Sequence, residues 1–595
     1  MVTFEVRGLV AVGIALVLSP GCLATTAGTL GPPPKPLVEF PSPQALAELA
    51  KQTPPDLAPS PTEGEVPADG WSVDSAEVAA ATPEEAWQPS DPWEGAFQSA
   101  VGEAKPTARI TRALSCVARQ LGRFRLETSA DPPAELVRFV AGACGVTVPG
   151  VESRWFSPGV EHAATDPQLF EREAHQINAG LLSNLPAGTT EVGFWFGRGH
   201  GRVVAVMTSA AALVRWKQPS LVADQNGDVV LAGEYAQPVD HFAAYVNHGR
   251  FGVESCPIDP GVSRPRFRVV CSMGHGDPTD WVQLYAVAPH RVLFTLFAQI
   301  LIRRDWGTPL AFPASATVET RQVSSSDELT GAIVEQLNRV RVAARMAPVR
   351  LSMAESATAR GVTGAFFGAA FARGERDAAA NQTRMDDIAL GLLAGWQVEG
   401  TIRAGLFVSS SAPRTRDAGR WLESALTLPF GRVTLLSAET DEIAIGSQVL
   451  PGSGGLAALV TAYRHFTTND HSADVERLYE RLALARARRH LARPVRLGGM
   501  DEVMRTELRF VEDGRASPAA VLNTVLQDGT SRFGAGMRGY TLECTDLDAL
   551  EIPEDFINRP NLFMEIAVSH YRPPGAAWGQ LVILVVYADD PRIDT

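Results

Sequence analysis

The feature that most constrains the fold of this chain is a pattern that occurs three times. A β-rich run, a turn containing Gly or Pro, and a second β-rich run make up residues 190–209, 441–462 and 561–587. Each copy is typical of an antiparallel hairpin. Each follows sequence with apolar residues at i, i+3 and i+4, as in amphipathic helices. Helices followed by a hairpin, repeated along 595 residues, predict an α+β multidomain protein.

The last two copies also share an arginine-rich run. Residues 339–351 match residues 486–497, and each run contains a Pro, Pro348 or Pro494, ahead of Val-Arg-Leu. A helix cannot continue through such a Pro, so we expect each arginine-rich helix to end there. Ser352 then provides the N-cap of a further helix.

Residues 327–468 resemble the CAP superfamily (cysteine-rich secretory, antigen 5, pathogenesis-related 1) in its bacterial, cysteine-poor form. The matching motifs are Leu-Asn-Arg-Val-Arg at 337–341, Pro-Val-Arg-Leu at 348–351, Trp-Leu-Glu-Ser at 421–424, Leu-Leu at 435–436 and Asp-Glu-Ile-Ala-Ile-Gly at 441–446. The resemblance implies an α/β/α sandwich. Residues 469–590 resemble a more degenerate copy, and residues 93–213 resemble a third.

The departures from the family pattern concern its polar centre. CAP domains typically have a cleft with two His and two acidic residues, which in some members binds a divalent metal. Here Met353–Phe371 and residues 425–429 contain no His, and residues 402–407 lack the expected Glu-Asn pair. The resemblance therefore implies the scaffold without a metal site, and we predict no metal, no cofactor and no catalytic residue.

Residues 214–320, between the first and second copies, have a different pattern. Apolar and polar residues alternate at 228–235, 266–271 and 281–287, and Asn226-Gly227 is a strong hairpin signal. Several short strands at such spacing predict a β-sandwich module of Ig-like type.

The N-terminus carries an export signal. Residues 9–18 are apolar, are preceded by Arg7 and are too few for a membrane span. They lead to Gly21-Cys22, and the segment resembles a bacterial lipoprotein signal in which the Cys receives a lipid. We expect lipidation of Cys22 and anchoring at the outer membrane or cell surface. The alternative is cleavage near residues 24–27, which would give a secreted protein.

A tether is expected to follow at residues 23–92. Residues 31–92 contain fourteen Pro, eleven acidic residues and two Lys, and so carry −9 of the formal net charge of −14. Such sequence is predicted to be disordered and extended, apart from a short helix near residues 45–51. The overall acidity argues against a nucleic-acid partner.

The six Cys residues agree with an oxidising compartment. Local pairing predicts disulfides between Cys116 and Cys144 and between Cys256 and Cys271, and leaves Cys544 as a buried thiol.

Other chemical signals are sparse. His241 and His248 could share a helical face, and His162 and His175 flank an acidic stretch. Residues 481–496 form a basic amphipathic run, which we interpret as a solvated face paired with acidic neighbours.

The sequence therefore predicts an exported, lipid-anchored cell-envelope protein with non-catalytic CAP-like binding domains. Its partners are expected to be the membrane, through Cys22, and a lipid, envelope glycan or protein ligand. The alternatives are an envelope hydrolase with an atypical site and a structural or adhesion protein. The predicted segments are a signal (1–22), a tether (23–92), a degenerate CAP-like unit (93–213), a β-sandwich (214–320), a CAP-like domain (321–468) and a second CAP-like domain (469–595).

Overall fold

The structure is a computed structural model that describes residues 13–14, 23–26, 40–51, 66–67, 70–73 and most of 87–588. Within the last range it leaves out 157–166, 184, 186–187, 201, 220, 275–277, 290–292, 306–309, 313–318, 373–377, 413–414, 452–453, 467–469, 534–535, 545–546, 548–549 and 551. The chain divides into two compact units, one of residues 1–16, 44–389 and 407–462 and one of residues 17–43, 390–406 and 463–595.

Four short elements precede the domains. They are β1 (Gly13–Ile14), β2 (Leu23–Thr26), α1 (Pro43–Leu49) and β3 (Trp71–Val73). The helix agrees with the one predicted near residues 45–51. Two strands are exceptions to the predicted disordered tether at residues 23–92. The strand β2 pairs with residues 540–543, and Trp71 and Val73 of β3 are buried in a hydrophobic core. Cys22 lies outside the described residues, and none of the described helices is long and apolar enough to cross a membrane.

The first layered domain has four helices and one sheet. Its elements are α2 (Pro92–Ala104), β4 (Arg109–Ile110), α3 (Arg112–Thr128), α4 (Ala134–Ala143), β5 (Glu152–Phe156), α5 (Pro167–Leu182), β6 (Glu191–Gly199) and β7 (Arg202–Ala210). The sheet has the order β4-β6-β7-β5. Phe97 and Ile177, from α2 and α5, pack on one sheet face, and Leu114 and Phe124, from α3, pack on the other.

A sandwich of two antiparallel sheets follows. Its strands are β8 (Val214–Pro219), β9 (Asp228–Tyr235), β10 (His241–His248), β11 (Gly252–Ser255), β12 (Arg266–Ser272), β13 (Thr279–Val287) and β14 (Thr295–Arg303). The sheets have the orders β11-β10-β13-β14 and β12-β9-β8, and one core joins them. A short strand, β15 (Leu310–Phe312), pairs with β3. Strands β8 to β14 all lie within residues 214–320.

The middle layered domain repeats the plan of the first. Its elements are α6 (Ser326–Ala343), β16 (Arg350–Leu351), α7 (Met353–Phe371), α8 (Ala378–Ala394), β17 (Ile402–Ala412), α9 (Ala418–Thr427), α10 (Pro429–Leu435), β18 (Glu442–Val449) and β19 (Leu456–His465). The sheet has the order β1-β17-β19-β18-β16.

The last domain has the plan once more. Its elements are α11 (Ser472–Ala487), β20 (Val495–Arg496), α12 (Met500–Glu512), α13 (Pro518–Phe533), β21 (Arg538–Cys544), α14 (Glu554–Asn558), β22 (Phe563–Tyr571) and β23 (Gln580–Ala588). The sheet has the order β2-β21-β23-β22-β20. In all three sheets a two-residue strand pairs in parallel with the first strand of a hairpin. The three hairpins predicted from sequence are confirmed, and the fold is mixed α+β.

A buried arginine marks the same position in the middle and last domains. Arg341 donates to the carbonyl oxygens of Ala347, Leu435, Ser437 and Thr440. Arg486 donates in the same way to those of Ala492, Phe556, Arg559 and Pro560.

This equivalence corrects the sequence alignment of the two arginine-rich runs. Matching the two prolines does not bring Arg341 and Arg486 into correspondence, whereas the structure does. Two residues at positive φ support this equivalence. Arg345 (φ 61°) lies four residues after Arg341, and His490 (φ 59°) lies four residues after Arg486. The match between Pro348 and Pro494 is therefore displaced by one residue.

A pair of residues between helix and hairpin differs in size between the first and middle domains. In the first, Gly122 of α3 lies against Trp195 of β6, and a Cβ on Gly122 would come 2.1 Å from the indole ring. In the middle domain the equivalent positions are Thr363 of α7 and Gly446 of β18, and a Cβ on Gly446 would come 2.5 Å from Thr363 Oγ1. The glycine is on the helix in the first domain and on the strand in the middle domain, so the helix lies close to the sheet in both.

The predicted cysteine chemistry is confirmed. Cys116 bonds to Cys144, and Cys256 bonds to Cys271. The second bridge joins a residue just after β11 to β12, and so links the two sheets of the sandwich. Cys544 is a buried free thiol.

Candidate functional site

Polar side chains meet at one end of the sheet of the last domain. Tyr571 ends β22, Gln580 begins β23, and the two residues are directly opposite in the hairpin. Glu543 of β21 pairs with Val582, which in turn pairs with Ser569. Residues directly opposite across strands, and residues two apart on one strand, share a face. Glu543, Ser569, Tyr571 and Gln580 therefore lie on the same face of the sheet.

Three of these side chains are joined by hydrogen bonds. The Tyr571 hydroxyl donates to Glu543 Oε2 at 2.8 Å. The Gln580 amide donates to the same oxygen and, at 3.2 Å, to the Tyr571 hydroxyl. Burial and the charge of Glu543 raise the pKa of Tyr571 above its ordinary value. The phenol therefore stays protonated and acts as a donor, which leaves the other lone pairs of Glu543 as acceptors.

A second carboxylate completes what we call the C-terminal polar cluster (Glu512, Glu543, Ser569, Tyr571 and Gln580). Glu512, the last residue of α12, accepts a hydrogen bond from the Ser569 hydroxyl. Ser569 is 2% exposed, whereas the other four are half-buried. A serine nucleophile normally needs a His or Lys base, and the cluster contains neither. The arrangement is suited to accepting and donating hydrogen bonds.

A histidine pair occupies the other face of the same sheet. His471 Nε2 lies 3.0 Å from His570 Nδ1, and His471 Nδ1 lies 2.9 Å from Asp474 Oδ2. The Phe466 ring stacks on His570, with centroids 4.4 Å apart. Burial, together with His471, lowers the pKa of His570 from 6.5 to about 4. His570 is therefore neutral near pH 7.

The histidine pair does not form a metal site. The two rings point nitrogen atoms at each other, so these nitrogens do not converge on a common ion. Among the described residues, no group of three or more His, Cys, Asp or Glu side chains could hold a metal.

In the middle domain an aromatic cluster occupies the helix and strand where the resemblance placed a polar centre. Phe366 and Phe367 of α7 meet edge to face, and Phe367 stacks on Phe371. Phe366 also contacts Phe407 of β17. Phe366, Phe367 and Phe407 are at most 1% exposed. Here the helix meets the sheet through packed rings.

The structure also shows where the remaining His residues and the basic run lie. His241 and His248 lie on strand β10 and not on a helix, and their odd spacing places them on opposite faces of the strand. Arg493 and Arg496 pair with Glu480 and Glu476, as the interpretation of a solvated basic run expects. The interpretation is wrong for Arg486 of the same run, which is fully buried. His175 lies on α5 beside a groove, and His162 lies outside the described residues.

The C-terminal polar cluster was missed from sequence because the search for a polar centre covered only the middle copy. One feature of the sequence could have located it. The resemblance placed an acidic residue at residues 402–407, which lie on β17. By sheet order β21 is the counterpart of β17, and β21 carries Glu543.

Comparison with protein-family models and with curated proteins finds no match to this chain. The functional argument therefore depends on the geometry of the site.

Proposed function

We propose that the chain is an exported, lipid-anchored cell-envelope protein whose three layered domains are CAP-like and whose last domain binds a hydroxyl-rich envelope ligand without catalysis. The repeated order of helices, short parallel strand and hairpin supports the CAP-like assignment. The apolar run of residues 9–18 ahead of Cys22 and the two disulfides support a location outside the cytoplasm.

The observation that carries the binding role is the hydrogen-bonded group of Glu543, Tyr571 and Gln580. The three side chains hold one another in place, so little side-chain entropy is lost when a ligand binds. Two carboxylates in the cluster, Glu512 and Glu543, accept hydrogen bonds from hydroxyl groups. A glycan offers many such donors close together, whereas an acyl chain offers none.

The test is co-sedimentation of the Cys22→Ser chain with insoluble peptidoglycan, with cellulose as an unrelated polysaccharide. We expect binding to peptidoglycan with no release of reducing ends. Glu543→Gln and Tyr571→Phe each remove part of the hydrogen-bonded group and should weaken binding about tenfold. Release of reducing ends by the wild-type chain would instead support the hydrolase.

Tyr540→Phe is the matched control. Tyr540 lies on the other face of the same strand as Glu543, where its ring stacks on Tyr587. Its hydroxyl can be removed without touching the cluster, so binding should be unchanged. Equal weakening in Tyr540→Phe and Tyr571→Phe would show that the cluster is not the binding site.

The anchor is tested separately, by metabolic labelling with a palmitate analogue in a bacterial host. The wild-type chain should carry the label and fractionate with membranes, and Cys22→Ser should do neither. An unlabelled wild-type chain in the medium would instead support simple cleavage near residues 24–27.

A further inference from the structure

A groove runs between helices α2 and α5 of the first layered domain. Its volume is about 670 Å³. Small apolar side chains provide much of its lining, among them Ala96, Ala100, Ala174 and Ala179. A surface of this kind accommodates an aliphatic chain, but it does not by itself select one.

A buried amide gives the groove a specific polar contact. Asn178 of α5 lines the groove and is only 5% exposed. Its side chain has no hydrogen-bonding partner in the part of the chain that the structure describes. An amide that lines an open groove and has no protein partner can hydrogen-bond to a group that enters there. Asn178 is therefore positioned to bind such a group.

The charge of the groove restricts what can enter. Glu103 and Glu171 line it, are exposed, and have neither a hydrogen bond nor an ion pair among the described residues. No Lys or Arg is among the residues that line the groove. The two carboxylates repel fatty acids and phosphates and attract cations.

The two carboxylates lie toward opposite ends of the groove. Helix α2 runs antiparallel to β6, because Trp93 stacks on Phe196 and Phe97, one turn later, stacks on Phe194. Helix α5 leads back to the start of β6, so the two helices run in the same direction. Glu171 is near the start of α5 and Glu103 is near the end of α2.

We infer that this groove binds a linear aliphatic polyamine. The methylene segments lie over the alanine side chains, and the terminal ammonium groups pair with Glu103 and Glu171. An amine N–H between them donates to the carbonyl oxygen of Asn178. The site is far along the chain from the C-terminal polar cluster and does not depend on the function proposed for it, so either proposal can fail alone.

The test is calorimetric titration of the full chain with spermidine, with n-butylamine and decanoate as probes of one charge. We expect spermidine to bind, butylamine to bind at least tenfold more weakly, and decanoate not to bind. Added salt should weaken spermidine binding, because the carboxylates are exposed. Tighter binding of decanoate or of a trilysine peptide than of spermidine would overturn the inference, as would the absence of spermidine binding at about 1 mM.

Variants locate the site. Glu103→Gln and Glu171→Gln should each weaken spermidine binding severalfold, whereas Glu502→Gln, which removes one exposed carboxylate of α12, should leave it unchanged. Asn178→Leu should abolish the central contact and weaken binding while the chain stays folded, since the substitution removes no hydrogen bond to another described residue. Equal effects of Glu103→Gln and Glu502→Gln would refute the site.

Discussion

The Nε2 atom of His471 lies 3.0 Å from the Nδ1 atom of His570, although the two residues are 99 positions apart in the chain. Both side chains are at least nine-tenths buried. Asp474 fixes the far nitrogen of His471, so one of the facing nitrogens must donate and the other must accept. This requires that at least one ring is neutral, and the lowered pKa of His570 identifies that ring.

Stability should therefore fall as the pH is lowered through the range from 6.5 to about 4. Burial lowers the pKa of His570 to about 4, so in this range the unfolded chain binds more protons than the folded chain, and acid favours unfolding. We expect a loss of about 2 kcal/mol in the free energy of unfolding between pH 7.5 and pH 4.5. Urea unfolding at pH 7.5 and pH 4.5 measures it.

His570→Gln should flatten this pH dependence, because Gln does not titrate and can still hydrogen-bond to His471. His241→Gln is the control, since His241 is exposed on another strand. If His570→Gln and the wild-type chain lose stability equally on acidification, the histidine pair is not the source.

Removal of Arg486 should be strongly destabilising. Its guanidinium group is 0% exposed and donates to four carbonyl oxygens, which would lose their donors. Arg486→Met is expected to cost about 3 kcal/mol of unfolding free energy, and Arg486→Lys nearly as much, since one ammonium group cannot reach all four. Arg488→Met, at an exposed position two residues later, should change stability by less than about 0.5 kcal/mol. Comparable losses at both positions would mean that general helix effects dominate.

The disulfide of the first domain should be an important constraint. Cys116 and Cys144 are separated by 28 residues, and in the chain-entropy model a loop of this length contributes about 3.5 kcal/mol. The Cys116→Ala, Cys144→Ala double variant should lose about that amount in urea unfolding. Thiol titration of the Cys22→Ser chain should find one thiol, Cys544, and only after unfolding. Reaction of a thiol in the native chain would contradict its burial.

Gly122 should not tolerate a side chain. A Cβ there would lie 2.1 Å from the Trp195 ring, so Gly122→Ala must displace helix or ring and is expected to cost about 1–3 kcal/mol. Gly102→Ala in helix α2 is the matched control, because a Cβ at Gly102 would have nothing within 4 Å, and it should be neutral or stabilising by up to about 1 kcal/mol. Thermal unfolding of both variants measures the difference. An equal response would mean that the contact with Trp195 is not tight.

Much of the local structure follows from the sequence because the signals are local. Alternating apolar residues around a Gly-containing turn define each hairpin. The turn signal Asn226-Gly227 leads directly into β9. Cysteines close in sequence pair, since a short loop closes at low entropic cost. The correct alignment of the two arginine-rich runs is not a local signal. Similar residues suggest that Pro348 corresponds to Pro494, whereas the buried side chains show that Arg341 corresponds to Arg486.

The sequence by itself thus determined the repeated helix-and-hairpin plan, the position of the β-rich module and the cysteine pairs. Only the tertiary structure decided which polar residues meet. Glu543, Tyr571 and Gln580 come together because sheet order places β21 beside β23 and β23 beside β22, and Asn178 gains its groove only when α2 packs beside α5. Cross-strand and helix–helix neighbours depend on the packing of segments distant in the chain, and hydrophobic periodicity specifies which face of a segment is buried but not which partner covers it.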